Sequence, residues 1–158
     1  MNSWLFKSEP DAFSIDDLAS LPGKRDHWDG IRNYQARNMM RDDMKKGDMG
    51  FFYHSSCAIP GVVGTVSIVK ESYPDHTAFE PGEKYYDAKS DLDNPRWFMV
   101  DVKLKKKFKQ IISLELLKTR KPLQDMQLLK RGNRLSIMPI NKKEWDYINK
   151  LAEKQGGK

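Results

Sequence analysis

Residues 96–109 read RWFMVDVKLKKKFK, and this alternation is the clearest structural signal in the chain. Apolar side chains stand at every second position from Phe98 to Leu104, and charged residues fill the later positions between them. A period of two residues is typical of a β-strand with one buried face and one solvated face, and here the solvated face is basic. Lys106 interrupts the apolar row before Phe108, which predicts a bulge or a departure from the sheet at that point.

The segments around this strand predict a mixed architecture. Residues 48–57 and 62–69 are two further strands joined by a turn at Pro60 and Gly61, so we expect a hairpin. Residues 72–94 form a long irregular loop, which in a compact domain is usually functional or disordered, and its adjacent tyrosines, Tyr85 and Tyr86, argue against simple disorder. The remaining predicted elements are strands at 3–10 and 134–140, helices at 14–21, 34–46 and 114–118, a helical turn at 125–131, and a terminal helix starting at Asn141. Because strands and helices do not alternate regularly, the fold class is α+β, with a curved, mostly antiparallel sheet or a small open barrel.

The 158 residues fit one domain, and their charge is unevenly distributed. Residues 1–79 carry 9 Lys and Arg against 11 Asp and Glu, whereas residues 80–158 carry 19 against 11. This one-sided positive charge favours a polyanionic partner, most often nucleic acid. A basic surface that serves only solubility is the plainer alternative.

Several kinds of site are absent from the sequence. It has no phosphate-binding GxxxxGK[ST] or GxGxxG loop, no GxSxG nucleophile turn and no HExxH metal motif. The three histidines are scattered, and His54 and Cys57 would point to opposite faces of a strand, so we expect no metal, no cofactor and no Cys–His nucleophile. The single cysteine excludes an internal disulfide and suits a cytoplasmic protein. No apolar run is long enough for a membrane span, and no secretory signal is expected.

The densest polar and aromatic stretch is WDGIRNYQARN, residues 28–38, at a predicted loop-to-helix junction. Free N–H groups at a helix start bind anions, and Arg32 and Arg37 add bidentate phosphate donors. Asn33 and Asn38 carry both a donor and an acceptor, which suits the edge of a base. The alternative is purely structural: Asn33 caps the helix, its neighbouring tyrosine is core, and Arg37 makes a surface ion pair.

Aromatic residues are numerous enough to build a stacking site for a base. Stacking contributes about 1–3 kcal/mol per base, and six aromatic residues outside the regular apolar rows are available for it. They are Trp28, Tyr34, Tyr53, Tyr85, Tyr86 and Trp97.

Five stretches in this order resemble the EVE domain family, which belongs to the PUA-like superfamily and is related to YTH domains. They are WLFKSEPDAFSIDDL at 4–18, WDGIRNYQARNMMRDDMKKGDMGFFYHSS at 28–56, PGVVGTVSIV at 60–69, YYDAKSDLDNPRWFMVDV at 85–102 and LLKRGNRLSIMPI at 128–140. The resemblance covers residues 2–151 and leaves residues 152–158 as a frayed tail. It implies a PUA-like mixed β pseudo-barrel flanked by short helices and a C-terminal helix.

The resemblance also implies a non-catalytic nucleic-acid-binding module that accommodates a flipped, modified base, with modified cytosine in DNA as the first expectation. Trp28 is the expected stacking residue, and we expect its removal to weaken binding and leave the fold intact. Tyr85 and Tyr86 lie in the loop whose YTH counterpart supplies cage aromatics. The base pocket implied by the family motifs comprises Lys7, Ser8, Trp28, Asn33, Tyr34, Arg37, Asn38, Tyr53, His54, Tyr85, Tyr86, Trp97 and Ser136.

Phosphates would be held by a separate basic set without reading sequence. Its expected members are Arg32, Lys103, Lys105, Lys107, Lys130 and Arg131. Three alternatives stay open: an RNA reader, an enzyme that uses Asp29 or Asp101 on a nucleobase in the same pocket, and a domain that binds small molecules or proteins. For a module without an effector domain two roles stay open: action with a partner protein that supplies the effector activity, or a simple protective role.

Overall fold

The computed structural model describes residues 2–90 and 92–155, whose strands form one six-stranded sheet. The strands are β1 (Ser3–Ser8), β2 (Arg25–Trp28), β3 (Met49–His54), β4 (Gly61–Pro74), β5 (Phe98–Ser113) and β6 (Ile137–Ile140). Their spatial order is β2-β5-β4-β3-β1-β6. Only β1 and β3 run parallel, and the other neighbours are antiparallel. The α+β class with a mixed sheet is therefore confirmed.

The sheet is curled but does not close into a barrel. β2 and β6 are its two edges, and they do not pair with each other in the described part of the chain. Three strands separate β1 from β2 in the order, yet the rings of Phe6 and Trp28 lie 5.1 Å apart across the curl. The predicted pseudo-barrel is thus an open one, with a gap between its edge strands.

The bulge predicted in β5 is present and marks a change of core. Thr65 pairs with Lys106 and Val66 pairs with Leu104, so Lys105 is the extra residue. Before it, the apolar side chains of β5 pack inside the curl; after it, Phe108 packs on the opposite face. A bulge adds one residue to one strand and locally raises its twist, which allows this change.

Two apolar cores lie on the two faces of the sheet. Phe6 and Phe52 face the inside of the curl, whereas their neighbours Leu5 and Phe51 face the outer core. Because successive strand residues point to opposite faces, a strand buried on both sides has a continuous apolar sequence. Helices pack on both cores: those that carry Ile15 and Ala36 contribute to the inner core, and those that carry Leu117 and Ile148 contribute to the outer core.

The four α-helices of the described residues begin where their capping residues predict. They are α1 (Ile15–Ser20), α2 (Tyr34–Asn38), α3 (Leu114–Lys118) and α4 (Lys142–Gln155). Ser14 and Asp17 form a reciprocal capping box, and Asn141 and Glu144 do the same for α4. Ser113 caps α3 with its hydroxyl.

Several boundaries differ from the sequence-based prediction. α2 ends at Asn38 and continues as a π-helical turn, Met39–Asp43, so the predicted helix at 34–46 is too long. The turn predicted at 125–131 is a 3₁₀ turn at Gln127–Leu129. α4 includes residues 152–155 of the predicted frayed tail, and residues 156–158 lie outside the described residues. Within the described residues, no helix has the length and apolar character needed to span a bilayer.

Candidate functional site

The gap between the edges of the curled sheet holds a cleft of about 660 Å³. The ends of β1 and β2 and the two residues that follow β3 line it, together with the residues that precede β6 and part of the loop before β5. Five of the predicted base-pocket residues meet there from four separate segments: Lys7, Ser8, Trp28, Tyr85 and Ser136. The structure therefore places these five around one cavity.

Trp28 forms part of the floor of the cleft but is mainly a core residue. Only 7% of its surface is exposed, and its ring packs against Phe6 at 5.1 Å, Phe52 at 5.4 Å and Phe13 at 6.2 Å. Large rings buried in this way contribute several kcal/mol to stability. This packing argues against the expectation that removal of Trp28 leaves the fold intact.

Tyr85 reaches the cleft from the long loop before β5 and lies against Gly30. Gly30 has φ +77°, and a Cβ built there would stand 2.5 Å from Cε2 of Tyr85. A glycine is required at this position both for the left-handed backbone and for the close approach of the ring. The aromatic side chain and the end of β2 thus form one continuous wall.

Arg32, a predicted phosphate ligand, is occupied by internal contacts. Its guanidinium donates to the carbonyl of Tyr85 at 2.6 and 3.0 Å, to Oδ2 of Asp75 at 3.1 Å and to the hydroxyl of Thr77 at 3.3 Å. Burial alone would raise the pKa of Asp75, but hydrogen bonds from Thr77, Gly30 and Arg32 outweigh it and hold the pKa below its ordinary value. Arg32 therefore holds the loop that carries Tyr85 in place. Its guanidinium donors are used by acceptors within the protein.

The β1 end of the cleft supplies polar groups. The N–H of Lys7 donates to the carbonyl of Ser136 at 2.8 Å, which extends the pairing of β1 beyond β6. Burial lowers the pKa of the Lys7 ammonium, which lies 5.9 Å from the ring of Tyr53. The Ser8 hydroxyl donates to the carbonyl of Phe13 at 2.6 Å, so its lone pairs stay available as acceptors.

Tyr53 and His54 do not line the cleft. Tyr53 packs into the outer core, where burial raises its pKa to about 12. His54 accepts a hydrogen bond from the N–H of Ile15 at 3.1 Å through Nε2, and burial lowers the pKa of its imidazole. His54 therefore stabilises the start of α1 in its neutral form.

The RNYQARN element forms a second surface outside the cleft. Asn33 caps α2 by accepting from the N–H of Ala36 at 2.9 Å, as the structural alternative predicts. Tyr34 is 51% exposed and stacks on Trp97 with ring centroids 4.9 Å apart. The remaining predicted members are placed as follows: Arg37 donates to the Arg96 carbonyl and to Asn38, Trp97 donates to Asp87, and Tyr86 is exposed.

An acidic group lies on the cleft wall, and of its members only Asp29 is considered from the sequence, as a candidate enzyme acid. His27 lies between two carboxylates, with Nδ1 3.3 Å from Asp26 and Nε2 3.5 Å from Asp29, and its ring is edge-on to His76 at 5.2 Å. Burial raises the pKa of Asp29, which His27 partly offsets. Asp26, His27 and Asp29 are positioned by β2, a strand that the polar sequence RDHW does not reveal. Residues 2–90 and 92–155 hold no cluster of three His, Cys, Asp or Glu side chains suited to a metal ion.

Two basic surfaces differ in their relation to the cleft. Lys130 and Arg131 lie in a groove of about 410 Å³ that shares Arg134 and Leu135 with the cleft. Lys130, Arg131 and Arg134 make no ion pair within the described residues. Lys103, Lys105 and Lys107 lie on β5, which contributes no residue to the cleft lining, and Lys107 is paired with Asp16.

A family model described as "EVE domain" matches residues 2–151 of this chain. The chain belongs to the EVE domain family. Its EVE domain is 47% identical to thymocyte nuclear protein 1 of Rattus norvegicus and 46% identical to that of Homo sapiens, over 96% of this chain and 74% of each relative. The prediction of a cytoplasmic protein is wrong, because these relatives are named as nuclear proteins.

Solved structures of EVE relatives share the fold over nearly the whole chain. A Pseudomonas putida protein matches with a TM-score of 0.91 and 45% identity, covering 95% of this chain and 99% of that one. The human THYN1 protein in complex with 5-methylcytosine containing DNA matches with a TM-score of 0.91 and 45% identity, covering 97% of this chain and 98% of that one.

Proposed function

We propose that this EVE domain binds DNA and holds a flipped 5-methylcytosine in the cleft between β1, β2 and β6. The observation that carries the proposal is the likeness to the human protein in complex with 5-methylcytosine containing DNA. The cleft fits that role, because its volume of about 660 Å³ lies within the usual range of ligand pockets. Its lining combines aromatic and polar groups, which a flipped base needs for stacking and edge recognition.

A base that leaves the duplex must recover its lost stacking and pairing. Unstacking costs a few kcal/mol, and stacking on an aromatic ring returns about 1–3 kcal/mol per base. Tyr85 is the half-buried aromatic wall, and the edges of Trp28 and Phe13 contribute to the apolar floor. A methyl group buried on that floor adds about 0.8 kcal/mol, a modest preference for the methylated base.

The groove that adjoins the cleft is the surface we assign to the DNA backbone. Lys130, Arg131 and Arg134 are exposed, and within the described part of the chain they have no carboxylate partner. Phosphates flanking a base in the cleft would lie next to Arg134, since that residue lines both cavities. The lysines of β5 then add only general attraction to a polyanion.

A different groove of about 990 Å³ is a poorer candidate for DNA. It lies between β1, β6 and the start of α4, and its lining includes Asp42, Asp43 and Asp146. Asp42 is paired with Arg41 and Asp146 with Lys142, so most of the neighbouring positive charge is already neutralised. A polyanion is repelled by such a surface.

The proposed function is binding without catalysis. Of the two acids considered for an enzyme, Asp101 accepts from Tyr73 at 2.5 Å and pairs with Arg25, outside the cleft. Asp29 lines the cleft, but its contact is a histidine that also touches Asp26. A partner protein that supplies an effector activity stays a prediction.

Fluorescence anisotropy with matched oligonucleotides tests the proposal. The set comprises single- and double-stranded DNA and RNA at one fixed salt concentration, each with cytosine, 5-methylcytosine or N6-methyladenine at one central position. We expect the tightest binding to DNA with 5-methylcytosine and no conversion of the oligonucleotide after long incubation. Equal affinity for methylated and unmethylated DNA would overturn the proposal, tighter binding to a modified RNA would favour the RNA alternative, and product formation would favour an enzyme.

A further inference from the structure

We infer that Asp29 selects the base in the cleft by its exocyclic amine, so that the site takes cytosine bases and rejects thymine. The inference rests on the proposed function and deepens it, because it names the edge by which the base is recognised. On this edge the two bases differ at two adjacent groups: cytosine presents an amine donor and an N3 acceptor, whereas thymine presents a carbonyl acceptor and an N3–H donor.

Asp29 stands between the two aromatic parts of the cleft. It follows Trp28, which belongs to the floor, and precedes Gly30, against which the Tyr85 ring is packed. Its side chain is 31% exposed, so it is partly desolvated and still accessible to a ligand. A base stacked beside Tyr85 would therefore have its edge near this carboxylate.

The carboxylate of Asp29 has free capacity to accept hydrogen bonds. Its contacts are Nε2 of His27 at 3.5 Å and its own backbone N–H. Asp26 is more occupied, since its Oδ1 accepts from the N–H of His27 at 2.9 Å and also touches the imidazole. Glu9, the third acid of the lining, is exposed at the rim. Of the two carboxylates on the wall formed by β2, Asp29 is thus the less satisfied one.

A carboxylate in a cleft that binds a polyanion repels the ligand unless the ligand offers it a hydrogen-bond donor. Burial and the nearby charges of Asp26 and Asp75 raise the pKa of Asp29, while His27 lowers it. An ionised carboxylate only accepts hydrogen bonds, so the amine of cytosine satisfies it. The carbonyl of thymine would place two acceptors face to face and leave both without a partner, which is strongly unfavourable in a partly buried site.

Donors for the rest of the base edge stand on the other side of the cleft. Lys7 and Arg134 are the cations that line it near β1 and β6, and Ser136 adds a hydroxyl. Cytosine presents its acceptors, N3 and O2, next to the amine. The cleft therefore offers an acceptor on one wall and donors opposite, which matches the cytosine edge.

Single-stranded DNA with one variable central base tests this inference without the cost of breaking a base pair. The bases are 5-methylcytosine, cytosine, thymine and 5-methylpyrimidin-2-one, which keeps the methyl group and lacks the amine. For the wild-type chain we expect thymine and the pyrimidinone to bind about 10-fold or more weaker than 5-methylcytosine. Binding of the pyrimidinone as tight as that of 5-methylcytosine would overturn the inference with no change to the protein.

The matched variants are Asp29→Asn and Asp26→Asn. An amide at position 29 offers a donor as well as an acceptor, so the ratio of 5-methylcytosine to thymine affinity should fall to about 3-fold or less. Asp26→Asn removes the same charge from the same wall and should keep the wild-type ratio. An unchanged ratio in a folded Asp29→Asn protein, checked by circular dichroism, would also overturn the inference.

The two failures are distinguishable. Failure of the proposed function means that the wild-type chain does not distinguish 5-methylcytosine from cytosine. Failure of the inference alone means that the wild-type chain prefers 5-methylcytosine over cytosine, yet either binds the pyrimidinone as tightly as 5-methylcytosine or keeps its preference over thymine in the Asp29→Asn variant.

Discussion

The guanidinium of Arg32 donates two hydrogen bonds, of 2.6 and 3.0 Å, to the backbone carbonyl of Tyr85. Its Cζ also lies 5.3 Å from the ring centre of Trp97 and 5.5 Å from that of Tyr85. One side chain near the start of α2 thus holds the long loop in place against the end of β2. The cleft wall depends on this contact, because Tyr85 has no secondary structure of its own.

Arg32→Lys should weaken base binding more than it weakens the fold. A lysine keeps a positive charge beside the buried carboxylate of Asp75 but cannot donate twice to the Tyr85 carbonyl. We expect a loss of about 1–2 kcal/mol in the free energy of unfolding and about 10-fold in affinity for 5-methylcytosine DNA. Urea unfolding and anisotropy measure the two effects. Arg37→Lys, in the same RNYQARN stretch, is the control with the same change of side chain. An Arg32→Lys protein that binds like wild type would refute the positioning role of Arg32.

Gly30→Ala should displace Tyr85. The new Cβ would stand 2.5 Å from the ring, in a residue with φ +77°. Gly47→Ala is the matched control, since Gly47 has φ +97° and no heavy atom within 4 Å of the added carbon. Both variants should lose about 1–2 kcal/mol of stability from backbone strain, but only Gly30→Ala should lose affinity for the modified base. Equal affinity in the two variants would mean that Tyr85 does not contact the base.

Trp28→Ala should be a stability mutation first. The ring lies among Phe6, Phe13 and Phe52, so its removal leaves a large cavity inside the curl. The expected loss is about 3–5 kcal/mol in the free energy of unfolding, measured in urea. Tyr86→Ala removes an exposed aromatic and should change stability by less than about 0.5 kcal/mol. A Trp28→Ala protein as stable as wild type would contradict the packing described here.

Neutralising the groove beside the cleft should weaken DNA binding without affecting base preference. Each of Lys130→Gln, Arg131→Gln and Arg134→Gln should lower the slope of log affinity against log salt by about 1. The ratio of affinities for methylated and unmethylated DNA should stay unchanged in Lys130→Gln and Arg131→Gln. Lys105→Gln, at the bulge of β5, is the control with the same charge change. A larger effect from Lys105→Gln would place the backbone on β5 instead.

Local chemistry made part of the fold predictable from sequence. The capping residues Ser14, Ser113 and Asn141 satisfy N–H groups within three residues, so the start of each helix is fixed locally. β2 has no such local signal, because RDHW does not alternate and its pairing partner on β5 lies more than 70 residues away. Its absence from the prediction also hid the contacts of His27 with Asp26 and Asp29.

The predicted site shows the same contrast between local signals and contacts that are distant in sequence. Lys7, Trp28 and Tyr85, which the family motifs assign to the pocket, line one cleft. Arg32 could not be assigned from its neighbours in sequence, since its partner Asp75 is 43 residues away and is fully buried. An arginine in a polar motif has the same sequence signal whether it faces phosphate or a buried carboxylate. Only the tertiary contact separates the two roles.

His54 should make the stability of the fold depend on pH. Burial holds the pKa of its imidazole below the ordinary 6.5, and Nε2 must be unprotonated to accept from the N–H of Ile15. Asp16 and Asp17 oppose this shift and Lys107 adds to it, but burial dominates. Below pH 6.5 the unfolded chain takes up a proton that the folded chain refuses until its own lower pKa is reached. The contribution of His54 is therefore fully present above that pH and declines as the pH falls, by up to about 1.4 kcal/mol per pH unit.

His54→Gln isolates this effect, because the amide oxygen accepts a hydrogen bond and does not titrate. Urea unfolding of both proteins between about pH 7.5 and 5 measures it, since the other groups titrate in both chains. We expect the wild-type stability to fall more steeply than that of His54→Gln over this interval. The same pH dependence in both proteins would show that the imidazole keeps its ordinary pKa, and that the start of α1 does not require it to be neutral.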